Sequence, residues 1–116
     1  VSLSRISIGL IVAMLFIGCA RDTTLYNWGR YEDAIYDMYL EPGKVSGADE
    51  IARLEKQIEQ TVSSGEFVPP GLHAHLASLY ISNGDYVTAL VHLQTEKKKF
   101  PESVHFIDGI IERMQK

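Results

Sequence analysis

Residues 70–103 read PGLHAHLASLYISNGDYVTALVHLQTEKKKFPES. Pro69 and Pro70 disfavour helix before residue 71, because each fixes its own φ and pushes the residue before it out of the helical region. Asn83-Gly84 is a helix C-terminal pair, since glycine takes the left-handed conformation that ends a helix at little cost. Asp85 directly follows and supplies an acceptor for the free amides of a new first turn. The stretch therefore predicts a helix over about 71–83, a tight turn, and a second helix. That second helix carries Tyr86, Ala89, Leu90 and Leu93 on one face and stops before Pro101.

The same signals extend outward. Tyr31, Ala34, Ile35 and Met38 follow the i, i+3, i+4, i+7 spacing of an amphipathic helix over about 30–40, which Glu41-Pro42-Gly43 ends. Ser46 with Asp49 three residues later reads as a capping box. Ile51, Leu54, Ile58 and Val62 then mark one apolar stripe, which closes at Ser63-Ser64-Gly65. Beyond Pro101, Val104, Ile107, Ile111 and Met114 line up on a last helix. Strand alternation is almost absent, so the fold class is all-α, an antiparallel array of about five helices. At 116 residues, the length allows one small domain and not two.

Within residues 70–103, Leu76, Ala77, Tyr80, Gly84, Tyr86, Ala89, Leu93 and Pro101 resemble one complete tetratricopeptide (TPR) repeat. The resemblance implies that small Ala77 and Ala89 let two helices approach closely while Leu76, Tyr80, Tyr86 and Leu93 fill the seam. His73 stands where the family often has Trp, and Glu96 where it often has Ala. Gly29-Arg30-Tyr31-Glu32-Asp33-Ala34 repeats the spacing of Gly84 to Ala89, so the N-terminal part reads as a degenerate half repeat. The expected TPR-like domain is 30–116.

Residues 1–18, VSLSRISIGLIVAMLFIG, hold Arg5 as their only charge and an apolar run from Ile6 to Ile17. As a helix that run is about 18 Å long, against about 30 Å for a bilayer core. It suits the apolar region of a signal peptide. Leu15-Phe16-Ile17-Gly18-Cys19 resembles a bacterial lipobox, although Phe16 replaces the usual Leu. The resemblance implies cleavage before Cys19, a diacylglycerol and an N-acyl lipid on that residue as the covalent additions, and a tether over 19–29. Ala20 in place of Asp implies outer-membrane sorting, with the protein at the periplasmic face. Loss of Arg5 with the leader moves the formal charge from −4 to −5. The whole resembles a family of small proteobacterial outer-membrane lipoproteins often found beside a curli-secretion-channel-like lipoprotein, which implies an envelope protein as partner.

The chemistry-bearing residues are few. A single cysteine excludes an internal disulfide and a Cys-based zinc cluster. Fifteen acidic against eleven basic residues give no electrostatic reason to bind nucleic acid. His73 and His75 lie about 200° apart on a helix and cannot share a ligand. By the repeat template His73 takes a packing position, His92 the outer face of its helix, and His105 the start of the last one. No phosphate loop, His-Glu-x-x-His or nucleophile elbow is present. No metal, no cofactor beyond the lipid and no catalytic residue are expected, and the chain reads as a non-enzyme. A rival small-molecule or cell-wall-binding reading would need a polar pocket, such as Glu66 near His73. Glu50, Glu55 and Glu59 with Arg53 and Lys56 read as the solvated face of the second helix. Lys97-Lys98-Lys99 sits well at a helix C-terminus, with contact to anionic lipid as the alternative.

Two surfaces qualify for a partner. The TPR groove positions, Ala74, Ser78, Ile81 and Ser82, lack the Lys, Arg and Asn that clamp a peptide carboxylate, and suit self-packing by the second helix or the N-terminal segment. Tyr26, Trp28, Tyr31, Tyr36 and Tyr39 crowd fourteen residues, and Tyr36 and Leu40 fall outside the apolar stripe of their helix. Such residues are either core on a second side or held for a partner. Trp28, Tyr36 and Tyr39 are the candidate partner-binding residues. The expected role is a lipid-anchored scaffold or adaptor, or a pilotin-like chaperone for an outer-membrane channel subunit.

Overall fold

The computed structural model describes residues 24–116. The leader, Cys19 and the first part of the tether lie outside the described residues. Within them the chain forms five α-helices: α1 (Tyr31–Leu40), α2 (Gly47–Ser63), α3 (Leu72–Ser82), α4 (Tyr86–Lys99) and α5 (Val104–Met114). A short 3-10 turn, Pro101–Ser103, joins the last two. One isolated parallel bridge, Tyr26 to Phe67, is the extended pairing among the described residues. The fold is an all-α array.

Local chemistry sets the boundaries. Ser46 accepts the amide of Asp49 at 3.2 Å and returns its hydroxyl to the Asp49 carboxylate at 2.7 Å, which starts α2. Asp85 does the same for α4, accepting from the Thr88 amide at 3.0 Å and the Thr88 hydroxyl at 2.7 Å. Between α3 and α4, Gly84 takes a φ of 78°, and the Asp85 amide reaches back to the Tyr80 carbonyl at 2.9 Å. An L side chain is strained at that φ, so the hairpin needs glycine there.

Helix α3 lies at the centre because it belongs to two cores. Leu76, with Ile51 and Leu54 of α2, forms one cluster, against which Tyr31, Ala34, Ile58, Leu79 and Tyr80 pack. Ala77, with Ala89 and Leu93 of α4 and Ile107 of α5, forms the other, edged by Ala74 and Ile81. A helix covered on both sides must be apolar nearly all round, and LHAHLASLYIS is. Of the groove positions, Ala74 and Ile81 are thus used in self-packing, on the side that includes α5 rather than by α2, while Ser78 and Ser82 stay exposed.

Three expectations need correction. On α2 the last buried position is Thr61 and not Val62, which is 60% exposed in the final turn of the helix. Thr61 tolerates burial because its hydroxyl bonds to the Gln57 carbonyl at 2.7 Å. On α4, Tyr86 is 53% exposed and Leu90 is also exposed, so neither fills the seam. The buried row there is Ala89, Leu93 and Glu96, spaced i, i+4, i+7. Tyr86 is the first residue of the helix, directly after its Asp85 cap. His92 is half-buried against α3 rather than on an outer face.

Truncating Leu76, which no solvent reaches, leaves a cavity between α2 and α3. Leu76→Ala is expected to cost about 2–5 kcal/mol in urea unfolding. Tyr86→Ala, at a position the repeat pattern makes a seam residue, is expected to stay within about 0.5 kcal/mol of the parent.

Candidate functional site

Helix α1 buries none of its residues fully. Tyr31 and Ala34 rest on the α2–α3 core, and Ile35 and Met38 are half-covered beside them. The rest of the surface is open, with Tyr36 61%, Tyr39 73% and Leu40 63% exposed. Two tyrosines and a leucine left in water over one and a half turns are unusual for a helix that has a covered side, and Tyr is a residue type enriched at binding hot spots.

The sequence grouped Trp28 with these tyrosines, and the structure separates them. Trp28 is half-buried, stacks on Tyr31 at 6.2 Å between ring centroids, and meets Tyr26 edge-on at 6.3 Å. Tyr26 in turn meets Phe100 at 6.1 Å. The segment expected as the end of a tether is therefore tied down. The Asn27 amide donates to the Phe67 carbonyl at 2.9 Å, and the Gln57 amide nitrogen donates to the Trp28 carbonyl at 2.8 Å. Trp28 belongs to a cluster that seats α1, while Tyr36 and Tyr39 belong to its free side.

A polar network, partly buried, also crosses the helices, and little in the sequence signals it. Glu96 of α4 reaches the N-terminus of α3, where Gly71 has no side chain to cap with; its Oε1 accepts the Gly71 amide at 2.6 Å. Burial pushes this carboxyl up, although the amides of Gly71, Ala74 and His73 pull the other way. Its second oxygen is buried without a hydrogen-bond partner. The Tyr31 phenol is raised by burial and then by the nearby Glu96. Glu50 and Glu55, expected in a solvated row, both bridge to α3. Glu50 meets His75 Nε2 at 3.0 Å, and Glu55 accepts the Tyr80 hydroxyl, which pushes that phenol up to about 12.

His73 and His92 face each other with their Nδ1 atoms 3.1 Å apart and ring centroids 5.4 Å apart, so the nitrogens lie between the rings. One nitrogen donates and the other accepts, and a doubly charged pair loses the bond. Tyr80 stacks over His92 at 5.6 Å. Burial, then His92 and Lys99, hold His73 down to about 4, and burial lowers His92. Glu66 is exposed, and the ring facing His73 is His92. Among the described residues no three His, Cys, Asp or Glu side chains gather as a metal-ligand set. Lys97 of the basic run bonds Asp108 of α5 at 2.6 Å, and the run closes the last turn of α4.

Residues 25–110, about three quarters of the chain, match a family described as Domain of unknown function (DUF4810), and the chain belongs to that family. No curated protein and no solved structure matches the chain significantly.

The histidine pair sets an acid limit. His73 titrates near 6.5 when unfolded and near 4 when folded, so the unfolded chain binds the extra proton between those values. Stability is then full above about 6.5 and drains as the pH falls towards about 4. Glu96, raised in the folded state, works with the opposite sign above its unfolded value of 4.5. Comparing parent with His73→Gln cancels that part. The melting temperature of the parent is expected to drop more steeply between pH 7 and pH 5 than that of His73→Gln, followed by circular dichroism.

Proposed function

We propose that this member of the DUF4810 family is a lipid-anchored adaptor at the periplasmic face of the outer membrane, holding another envelope protein on the free side of α1. The observation that carries the reading is the exposure of Tyr36, Tyr39 and Leu40 on a helix whose opposite side is seated. The hairpin of α3 and α4 supports a TPR-like body. Ala77 and Ala89 are fully buried between the two helices, with Gly84 in the turn and Pro101 past the end. The anchor reading rests on Leu15 to Cys19, a segment that precedes the residues shared with the family.

The mechanism is confinement. Each acyl CH₂ in the bilayer contributes about 0.8 kcal/mol, so several chains on Cys19 hold the molecule to the membrane. Two proteins on one membrane surface meet at a raised effective concentration, and a small aromatic contact then suffices. No catalytic step is assigned. By resemblance, a curli-secretion-channel-like lipoprotein is a partner to test first, with escort of a channel subunit, as a pilotin does, the variant of the same role.

Two measurements test the reading. Tyr36→Ser with Tyr39→Ser is expected to weaken partner binding by about thirtyfold, the worth of about 2 kcal/mol at a hot spot, with the helical circular dichroism unchanged. A collapsed spectrum would instead make the two tyrosines structural. Cys19→Ser is expected to move the protein out of the membrane fraction, and persistence there would remove the anchor from the account.

A further inference from the structure

Two ring nitrogens from different helices meet head-on between α3 and α4. Nδ1 of His73 and Nδ1 of His92 stand 3.1 Å apart, and the ring planes are inclined by 27°. The ring centroids are farther apart than the nitrogens by about two ring radii, so the outward direction of both Nδ1 atoms runs along one line. A hydrogen bond lies along that line, with one ring donating and the other accepting.

Two aligned imidazole nitrogens are also the ligand set of a cation that takes two donors opposite each other. Copper(I), with a filled d shell and an affinity for imidazole, is such an ion. Zinc is not, since it takes four ligands around a tetrahedron. The angle at the metal decides between them. A metal about 2 Å from both nitrogens, with these still 3.1 Å apart, lies about 1.3 Å off the line between them, where neither ring aims. In the linear arrangement the rings keep their direction and part by about 0.9 Å. His73 is buried and His92 half-buried, so His92 is the ring that can withdraw. Among the described residues no set of three His, Cys, Asp or Glu gathers around the pair, and a linear ion needs none.

The surroundings suit a cation of low charge. Glu55, held by the Tyr80 hydroxyl, lies near His92, and Glu96 accepts the His73 amide, while Lys99 stands against them near His73. Tyr80 lies nearly parallel to the His92 ring, its plane 11° away, and shields it on one side. We infer that His73 and His92 bind one copper(I) ion between their Nδ1 atoms in linear two-coordination. Two nitrogen–copper bonds replace the hydrogen bond. The proton of the donor ring passes from Nδ1 to Nε2, so no proton is released overall and no electron moves. The site uses no residue of α1 or of the lipobox, so it and the adaptor reading stand or fall separately.

The test is nitrogen NMR of the histidine rings in the full chain in detergent micelles under argon. Copper(I) is added as its acetonitrile complex until the spectrum stops changing. A free Cys19 thiol and the methionines also take copper(I), so the ring nitrogens themselves are read. The Nδ1 signals of His73 and His92 are expected to move together, ahead of any change at His75 or His105. In His73→Gln the response of His92 is expected to be lost at the same copper concentration. Zinc at that concentration is expected to leave both nitrogens unmoved. Unmoved Nδ1 signals at saturation, an undiminished response of His92 in His73→Gln, or an equal response to zinc would overturn the inference. Should the variant misfold, the copper and zinc titrations of the parent decide alone.

Discussion

The carboxylate of Glu96 holds the array together at its most exposed weakness, the start of a buried helix. Every helix begins with amides that lack partners inside it. Helices α2 and α4 answer with a serine and an aspartate of their own. Helix α3 is introduced by Gly71 in the left-handed conformation and has no such side chain. It is also the helix on which both cores depend, through Leu76 on one side and Ala77 on the other. An acceptor must therefore come from elsewhere, and α4 provides it a full helix later. The charge is favoured by the positive end of the α3 dipole and opposed by desolvation. Tyr31 of α1 packs over the same corner, its hydroxyl close to Gly71. One side chain thus ties α4 to the start of α3, at the corner where α1 also packs.

The structure bears out the helix boundaries expected from the sequence, because they are local. Ser46 with Asp49, Asp85 with Thr88, Gly84 and Pro101 act on neighbours within four residues, and each does what its chemistry predicts. What failed depends on the helix lying across. Whether Thr61 or Val62 is buried, and whether His92 faces in or out, turns on crossing geometry that periodicity does not contain. His73 and Glu96, the two residues that set the sequence apart from the TPR repeats it resembles, were the available signal for the polar network. A carboxylate set among the buried residues of α4 had to find a donor there. Its partner, a backbone amide of Gly71, leaves no mark in the sequence.

The aromatic run was legible as an excess and not as an arrangement. Five aromatic residues close together announce that something is covered, but the split into a seated group around Trp28 and an open pair at Tyr36 and Tyr39 depends on where α1 lands. Trp28 and Tyr31 lie at the start of that helix, where Gln57 and the α3 core are within reach. Tyr36 and Tyr39 follow on the side turned away from α2 and α3. The exposed aromatic surface, and with it the proposed docking face, is therefore smaller than the five-residue run and wholly on one helix.

The pairing of Tyr26 with Phe67 has a mechanical meaning. Force applied from the N-terminal side enters the body at this bridge and at the Asn27 and Gln57 hydrogen bonds. It is passed to the segment leading from α2 into α3 before it reaches α1. The first helix sits in the slack beyond the clamp, so under the proposed anchor a pull from that side leaves the tyrosine-bearing side undistorted until those few bonds shear.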